Sequence, residues 1–139
     1  KKSYIEIDEY DKNERQVFNY GHSLGHAIES LTNYRVPHGV AVSIGMDMSN
    51  FVSMKKGYIT ADLRNNSREL FEKIWHGYAP LVKGLNIDTY LLALSKDKKN
   101  EGTLLGLILK KGYGRVFKDF TENDAIFRSW IEEYFTNEL

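Results

Sequence analysis

Apolar residues along the chain recur mostly at the spacing of an α-helix. Between Glu14 and Leu31 they return every three or four positions, as in a helix that buries one face. The segment from Pro37 to Gly57 is apolar on nearly all sides, which is typical of a helix enclosed in a core. Shorter segments predict three further helices, at Thr60–Gly77, at Tyr90 to about Lys96 and at Ala125–Phe135.

Turn-forming residues separate these helices. Residues 32–37 are a predicted break, because Pro37 disfavours the helical conformation in the residue before it. Residues 78–87 contain a proline and a glycine and are expected to be an irregular connection. Asp88 or Thr89 is then expected to cap the next helix.

One β element is predicted in the C-terminal third. Two apolar stretches, Thr103–Leu109 and Arg115–Phe120, flank Gly112-Tyr113-Gly114, a glycine-rich turn that suits a hairpin. The chain is therefore expected to be mainly α. We predict one compact domain over residues 1–139, with five or six helices and a small β-hairpin near residues 104–120.

Composition narrows the class of protein. The 139 residues fit one domain, and 42% of them are apolar, so the chain should fold. Nineteen basic and nineteen acidic residues cancel, so neither nucleic acid nor an anionic membrane is an expected partner. There is no cysteine, and no apolar stretch approaches the roughly 20 residues of a membrane helix, so we expect a soluble, cytoplasmic protein. Because the chain starts without methionine, we expect it to be part of a longer one.

Three of the four histidines lie close together in the sequence, at positions 22, 26 and 38. On a helix, His22, His26 and Glu29 project from one face, and imidazole and carboxylate groups arranged in this way can chelate a divalent metal. His38 follows just beyond the Pro37 break. A histidine pair four residues apart also occurs where each ring only donates a hydrogen bond within a core, so the spacing leaves both interpretations open.

Gly21 and Gly25 interrupt the same predicted helix, although a glycine in a helix interior costs about 1 kcal/mol relative to alanine. They indicate that a second helix or a ligand approaches the backbone closely. Arg15 and Asn19 share the helical face of the histidines and are suited to a phosphate or a carboxylate. The run Lys96-Asp97-Lys98-Lys99, taken alone, is typical of a solvated surface.

The histidines belong to a longer series of motifs. It reads Arg15-x3-Asn19-Tyr20-Gly21-His22-x2-Gly25-His26-Ala27-Ile28-Glu29, then Pro37-His38-Gly39-x-Ala41-Val42-x2-Gly45-Met46, and later Asp97-Lys98-Lys99. This series resembles the signature of dehydroquinate synthase and its sugar-phosphate cyclase relatives, in order from Lys1 to about Gly114. The resemblance implies the helical C-terminal half of a two-domain enzyme. An N-terminal dinucleotide-binding domain, absent from this chain, would lie across the active-site cleft.

The resemblance also implies a role for each candidate residue. His22 and His38 would be ligands of a catalytic divalent metal, zinc or cobalt, whose third protein ligand is a glutamate outside this chain. His26 would face the substrate near its phosphate. Glu29 would not bind the metal itself but would orient one of the metal ligands. Lys1 and Asn19 would be further catalytic groups that contact the substrate. Arg15, Asn19 and a lysine of the Lys98-Lys99 pair would bind the substrate, the arginine and the lysine at its anionic groups.

The implied reaction is the cyclisation of a phosphorylated sugar acid with loss of phosphate. The favoured case is the step that forms 3-dehydroquinate in the shikimate pathway of aromatic amino acid biosynthesis. NAD, held mainly by the absent domain, would oxidise a ring hydroxyl and be regenerated later in the cycle. The metal would lower the pKa of adjacent substrate hydroxyls. Full-length relatives are commonly homodimers, so we expect a homodimeric lyase whose isolated C-terminal chain is inactive.

Two positions depart from the family's pattern, and two other functions stay open. Val40 stands where the family usually has glutamate, and Phe18 where it usually has leucine. Iron-dependent alcohol dehydrogenases share the two-domain plan and a histidine pair four residues apart, so a polyol or alcohol dehydrogenase is one alternative. Arg15 and Asn19 favour the cyclases over it. A non-catalytic ligand-binding or interaction domain is the other alternative, and the charge lost at Val40 is its only local indication.

Overall fold

The computed structural model describes residues 20–97, 100–112 and 115–139. Within these ranges, six α-helices and a two-stranded antiparallel sheet follow one another. They are α1 (His22–Leu31), α2 (His38–Lys55), α3 (Ala61–Trp75), α4 (Ala79–Lys83), α5 (Ile87–Ser95), β1 (Leu104–Lys111), β2 (Arg115–Glu122) and α6 (Ala125–Glu133). A 3₁₀ turn at His76–Tyr78 precedes α4, and a π-helical turn at Tyr134–Glu138 follows α6. The predicted mainly α domain with a small hairpin is confirmed.

Helix α2 lies at the centre of the domain, where it packs against α1, α3 and β1. The sequence predicts burial on nearly all of its sides, and eleven of its residues are buried, including Ser43, Asp47 and Asn50. Large buried side chains from other elements belong to the same hydrophobic core as its buried apolar residues: Trp75, Tyr90, Phe127 and Tyr134. The other elements are therefore arranged around one enclosed helix.

Helices α1 and α2 pack with their backbones in contact, and three glycines make this possible. A Cβ atom on Gly45 would lie 2.0 Å from the carbonyl oxygen of Gly21 and 2.7 Å from the amide nitrogen of Gly25. A Cβ atom on Gly25 would lie 2.5 Å from the carbonyl oxygen of Ala41. The close approach expected at Gly21 and Gly25 is therefore made by a second helix.

Gly21 does not lie inside a helix, so the prediction of one continuous helix from Glu14 to Leu31 is wrong. Its φ of +79° is a left-handed conformation that glycine adopts without a steric penalty. Helix α1 begins at the next residue, His22. Residues 14–19 lie outside the described ranges, so the grouping of Arg15 and Asn19 with His22 stays a prediction.

Other element boundaries differ from their predictions for local reasons. The Oδ1 atom of Asn86 accepts a hydrogen bond from the backbone N–H of Thr89 at 3.0 Å, so α5 begins directly after Asn86 rather than at a cap on Asp88 or Thr89. The connection predicted for residues 78–87 contains the short helix α4, because proline is tolerated in a first helical turn, where Pro80 lies. Both strands continue two residues past their predicted ends.

A buried ion pair joins α2 to α3 and to the C-terminal turn. The Nε and Nη2 atoms of Arg64 donate to the two carboxylate oxygens of Asp47, at 3.1 and 2.8 Å. Asp47 also accepts a hydrogen bond from the hydroxyl of Tyr134 at 2.7 Å, and Arg64 donates to the carboxylate of Glu138. Burial raises the pKa of Asp47, and the guanidinium of Arg64 opposes that shift. Because the side chains of Asp47 and Arg64 are both buried, water cannot solvate either charge if its partner is removed.

Replacing Gly45 with alanine should lower the free energy of unfolding by about 3 kcal/mol, because the new methyl group would overlap backbone atoms of Gly21 and Gly25. Gly39 is the matched control on the same helix, since no described atom lies within 4 Å of a Cβ placed there. Gly39→Ala should leave stability unchanged or raise it by up to about 1 kcal/mol. Urea denaturation of both variants tests this, and similar midpoints would contradict the close contact.

Replacing Asp47 with asparagine should lower the free energy of unfolding by about 3 kcal/mol, because the buried guanidinium of Arg64 loses its two-oxygen partner and keeps only the less buried Glu138. Glu133→Gln is the matched control: it removes a carboxylate 3.0 Å from Lys55 in a much more exposed pair. That change should cost less than about 1 kcal/mol. Thermal denaturation distinguishes them, and equal losses would show that the buried pair contributes no more than a surface one.

Candidate functional site

The first turns of α1 and α2 form part of a cleft of about 300 Å³. The cleft is lined mostly by apolar groups: His22, His38, Gly39, Val42, Ser43, Met46, Phe71 and Ile74. The centroids of the His22 and His38 imidazole rings are 5.4 Å apart, and the ring planes are inclined at 57° to each other. Two potential metal ligands from different helices thus meet in one place.

The carboxylate of Glu29 lies beside His38. Its Oε2 and Oε1 atoms are 3.2 and 3.3 Å from the Nδ1 atom of His38, and its side chain is only 10% exposed. An Nδ1–H that donates to this carboxylate leaves Nε2 of His38 as the ring atom for a ligand. Proteins commonly orient histidine ligands of metals in this way.

The donor set of this cleft fits a divalent metal. Two histidines on one tetrahedral zinc ion have ring centroids about 5 Å apart, close to the 5.4 Å between His22 and His38. Imidazole is also a common ligand for related transition metals. In the described part of the chain, no group of three or more histidine, aspartate and glutamate side chains suits a metal.

His26 lines a different cleft, although it shares α1 with His22. This second cleft, of about 380 Å³, lies between α1 and α5 and is lined by Ser23, His26, Ala27, Ser30, Leu31, Thr89, Leu92, Ala93, Lys96 and Asp97. The Nδ1 atom of His26 is 3.5 Å from Oε1 of Glu29. The chelating trio that helical spacing predicted, His22 with His26 and Glu29, does not line a common cleft. Instead, Glu29 contacts one histidine of each cleft.

Tyr20 ties the turn before His22 to the core. Its hydroxyl donates a hydrogen bond to Oδ1 of Asn50. Burial, with the negative charge of Asp47 nearby, raises the pKa of this phenol, so Tyr20 stays protonated and continues to donate. The start of α1 is therefore anchored to α2 on the side away from solvent.

Several predicted site residues lie outside the described ranges: Lys1, Arg15, Asn19, Lys98 and Lys99. Asp97, which directly precedes Lys98, lines the cleft of His26. Phe18 also lies outside the described residues. Val40 is partly buried against the core, so an apolar contact occupies the position where the family usually carries a charge.

The apolar wall contributed by α3 was missed by sequence reasoning. Phe71 and Ile74 of α3 line the histidine cleft. The side chains of Ile74 and of Leu70, on the same helix, are nevertheless 51% and 67% exposed. The signal was present, because the adjacent pairs Leu70-Phe71 and Ile74-Trp75 make the apolar stripe wider than one buried helix face needs. Exposed apolar groups beside a cleft are typical of a surface that another domain or partner covers.

Solved structures with a similar fold include those of 2-deoxy-scyllo-inosose synthase. The crystal structure of 2-deoxy-scyllo-inosose synthase complexed with carbaglucose-6-phosphate, NAD+ and Co2+ matches with a TM-score of 0.72 and 24% sequence identity. The match covers 92% of this chain and 36% of that one. At this identity the likeness establishes the fold alone.

The family follows from the sequence match. The family model described as 3-dehydroquinate synthase C-terminal matches residues 1–100, and this chain belongs to that family. A 3-dehydroquinate synthase of Helicobacter pylori (strain P12) is 39% identical over 111 residues, which are 77% of this chain and 31% of that protein. One of Thermoanaerobacter sp. (strain X514) is 33% identical over 118 residues, with 81% and 31% covered.

The chain spans about a third of the length of the curated relatives it matches. None of the helices in the described ranges is both long and apolar enough to cross a membrane.

Proposed function

We propose that this chain forms the metal- and substrate-binding half of a cyclase that converts a phosphorylated sugar acid into 3-dehydroquinate with loss of phosphate. The observation that carries the proposal is the meeting of His22 and His38 in one cleft, with Glu29 beside His38. In a member of this family, such a donor pair supports a catalytic metal at that place.

His22 and His38 would hold the metal, a zinc or cobalt ion, which when bound supplies a Lewis acid that lowers the pKa of substrate hydroxyls. Glu29 keeps the ring of His38 in place through its Nδ1 atom. NAD, held mainly by an N-terminal dinucleotide-binding domain, supplies the hydride chemistry. The exposed Leu70 and Ile74 would be covered by that domain, which would exclude water from the closed site.

His26 would act on the phosphate end of the substrate. Its side chain is exposed and lies in the same cleft as Lys96 and Asp97. An imidazole there is suited to donate a hydrogen bond or a proton to a departing phosphate. Because Glu29 contacts both His26 and His38, one carboxylate would orient a group of each cleft.

The anion-binding residues support an acidic sugar phosphate as substrate. Arg15, Asn19, His26 and a lysine of Lys98-Lys99 supply more donors than the two or three that satisfy one phosphate. A second anionic group is therefore expected, and the planar fork of Arg15 suits a carboxylate. Lys1 would reach the hydroxyl groups, and Lys1 and Asn19 would complete the catalytic set with His26.

In the intact protein, His22→Ala and His38→Ala should abolish metal loading, because each removes one of two ligands from the cleft. His26→Ala should keep the metal and lose turnover, since His26 lines the other cleft. Metal content measured by mass spectrometry after dialysis against zinc, together with activity, tests the assignment. If His26→Ala released the metal as readily as His22→Ala, the pair within α1 would be the true site.

The intact protein should release phosphate from the seven-carbon sugar acid phosphate without net formation of NADH, because a cyclase regenerates its NAD within each cycle. Removing the metal with a chelator should stop phosphate release, and zinc should restore it. Parallel phosphate and NADH assays measure this. Net formation of NADH from a small polyol would identify a dehydrogenase. The absence of both phosphate and NADH would favour a non-catalytic binding domain.

A further inference from the structure

The connection between α1 and α2, residues 32–37, sets where His38 stands relative to His22. The side chain of His38 is exposed, so side-chain packing does little to fix its position. The two ends of the connection are instead enclosed: Thr32 is 2% exposed, and Val36, two residues before His38, is fully buried. Control over His38 therefore comes from the backbone of this connection.

The hydroxyl of Thr32 bonds to both ends of the connection. It donates to the carbonyl oxygen of Ile28 at 2.9 Å and lies 3.2 Å from that of Glu29. It also accepts a hydrogen bond from the backbone N–H of Val36 at 3.4 Å. One buried oxygen thus joins the last turn of α1, which carries Glu29, to the segment that leads into His38.

The backbone between these two ends is held in an uncommon conformation. Asn33 and Tyr34 have φ values of +53° and +62°, in the left-handed region that residues other than glycine seldom adopt. The N–H of Tyr34 donates to the carbonyl oxygen of Glu29 at 2.9 Å, and that of Arg35 to the carbonyl oxygen of Thr32 at 3.1 Å. Consecutive residues keep such a conformation only where surrounding bonds impose it, and such segments concentrate at ligand sites.

We infer that Thr32 is a positioning residue of the metal centre. Its hydroxyl holds the connection in the one shape that brings His38 against Glu29 and beside His22. Thr32 touches neither metal nor substrate and acts through the backbone alone. This inference rests on the proposed function, because it takes His38 as a metal ligand.

Two substitutions at Thr32 separate the hydroxyl from the shape of the side chain. In the intact protein, Thr32→Val should weaken zinc binding about tenfold or more, as expected when a group that orients a ligand is lost. Thr32→Ser keeps the hydroxyl and should retain the wild-type affinity. Competition with a chelating dye measures the affinity. The visible spectrum of the cobalt-loaded protein reports ligand geometry and should change only in Thr32→Val.

Tyr90→Phe is the matched control for a purely structural effect. It also removes a buried hydroxyl that donates to a carbonyl oxygen of α1, that of Leu24 at 2.8 Å, but it leaves the connection of residues 32–37 untouched. Tyr90→Phe should reduce stability and leave zinc affinity and the cobalt spectrum unchanged. If Thr32→Val weakens zinc binding no more than Tyr90→Phe, Thr32 is only a helix cap and the inference is wrong.

Hydrogen exchange of the wild-type protein tests the same coupling without any variant. Saturating zinc should slow exchange in the connection of residues 32–37 more than in β1, because binding must favour the shape that presents His38. No extra protection in the connection would overturn the inference. If His38→Ala leaves zinc affinity unchanged, the metal site itself fails. If His38→Ala abolishes binding but Thr32→Val matches Tyr90→Phe, only the role of Thr32 fails.

Discussion

The direct contact between the backbones of α1 and α2 is the constraint on which the rest of this structure depends. At Gly21, Gly25 and Gly45 the backbone of one segment lies directly against the backbone of the other. This distance brings the start of α2 back to the end of α1 and places His38 against Glu29. A wider separation, such as ordinary side chains require, would move the two histidines apart.

A second constraint is the buried ion pair between Asp47 and Arg64, close to the histidine cleft. Asp47 follows Met46, which lines the cleft, and pairs with Arg64 of α3. The same helix carries Phe71, which forms the opposite wall. A buried ion pair is weak proof of stability, but its geometry tolerates little sliding between the helices it joins. The pair thus holds the wall in register with the histidines.

Glu29 connects two clefts that would otherwise be independent. It is nearly buried, and its carboxylate faces His38 in one cleft and His26 in the other. For the proposed reaction, the arrangement would separate the group that polarises hydroxyls from the group that assists phosphate departure, while orienting both from one carboxylate. Two chemically different steps would then be served by residues of α1 and by His38, the first residue of α2.

Local patterns predicted the class of fold and the family, because helical periods, glycine turns and the motifs around His22 and His38 each depend on residues close in sequence. Spacing failed where two local solutions were equally good. Four residues separate His22 from His26, which suits a chelating pair, but packing of α2 on Gly25 brings His38 to His22 instead. The partners of Asp47 could not be predicted from the sequence for a different reason. Arg64 and Tyr134 lie 17 and 87 residues away from it, and only the folded core brings them together.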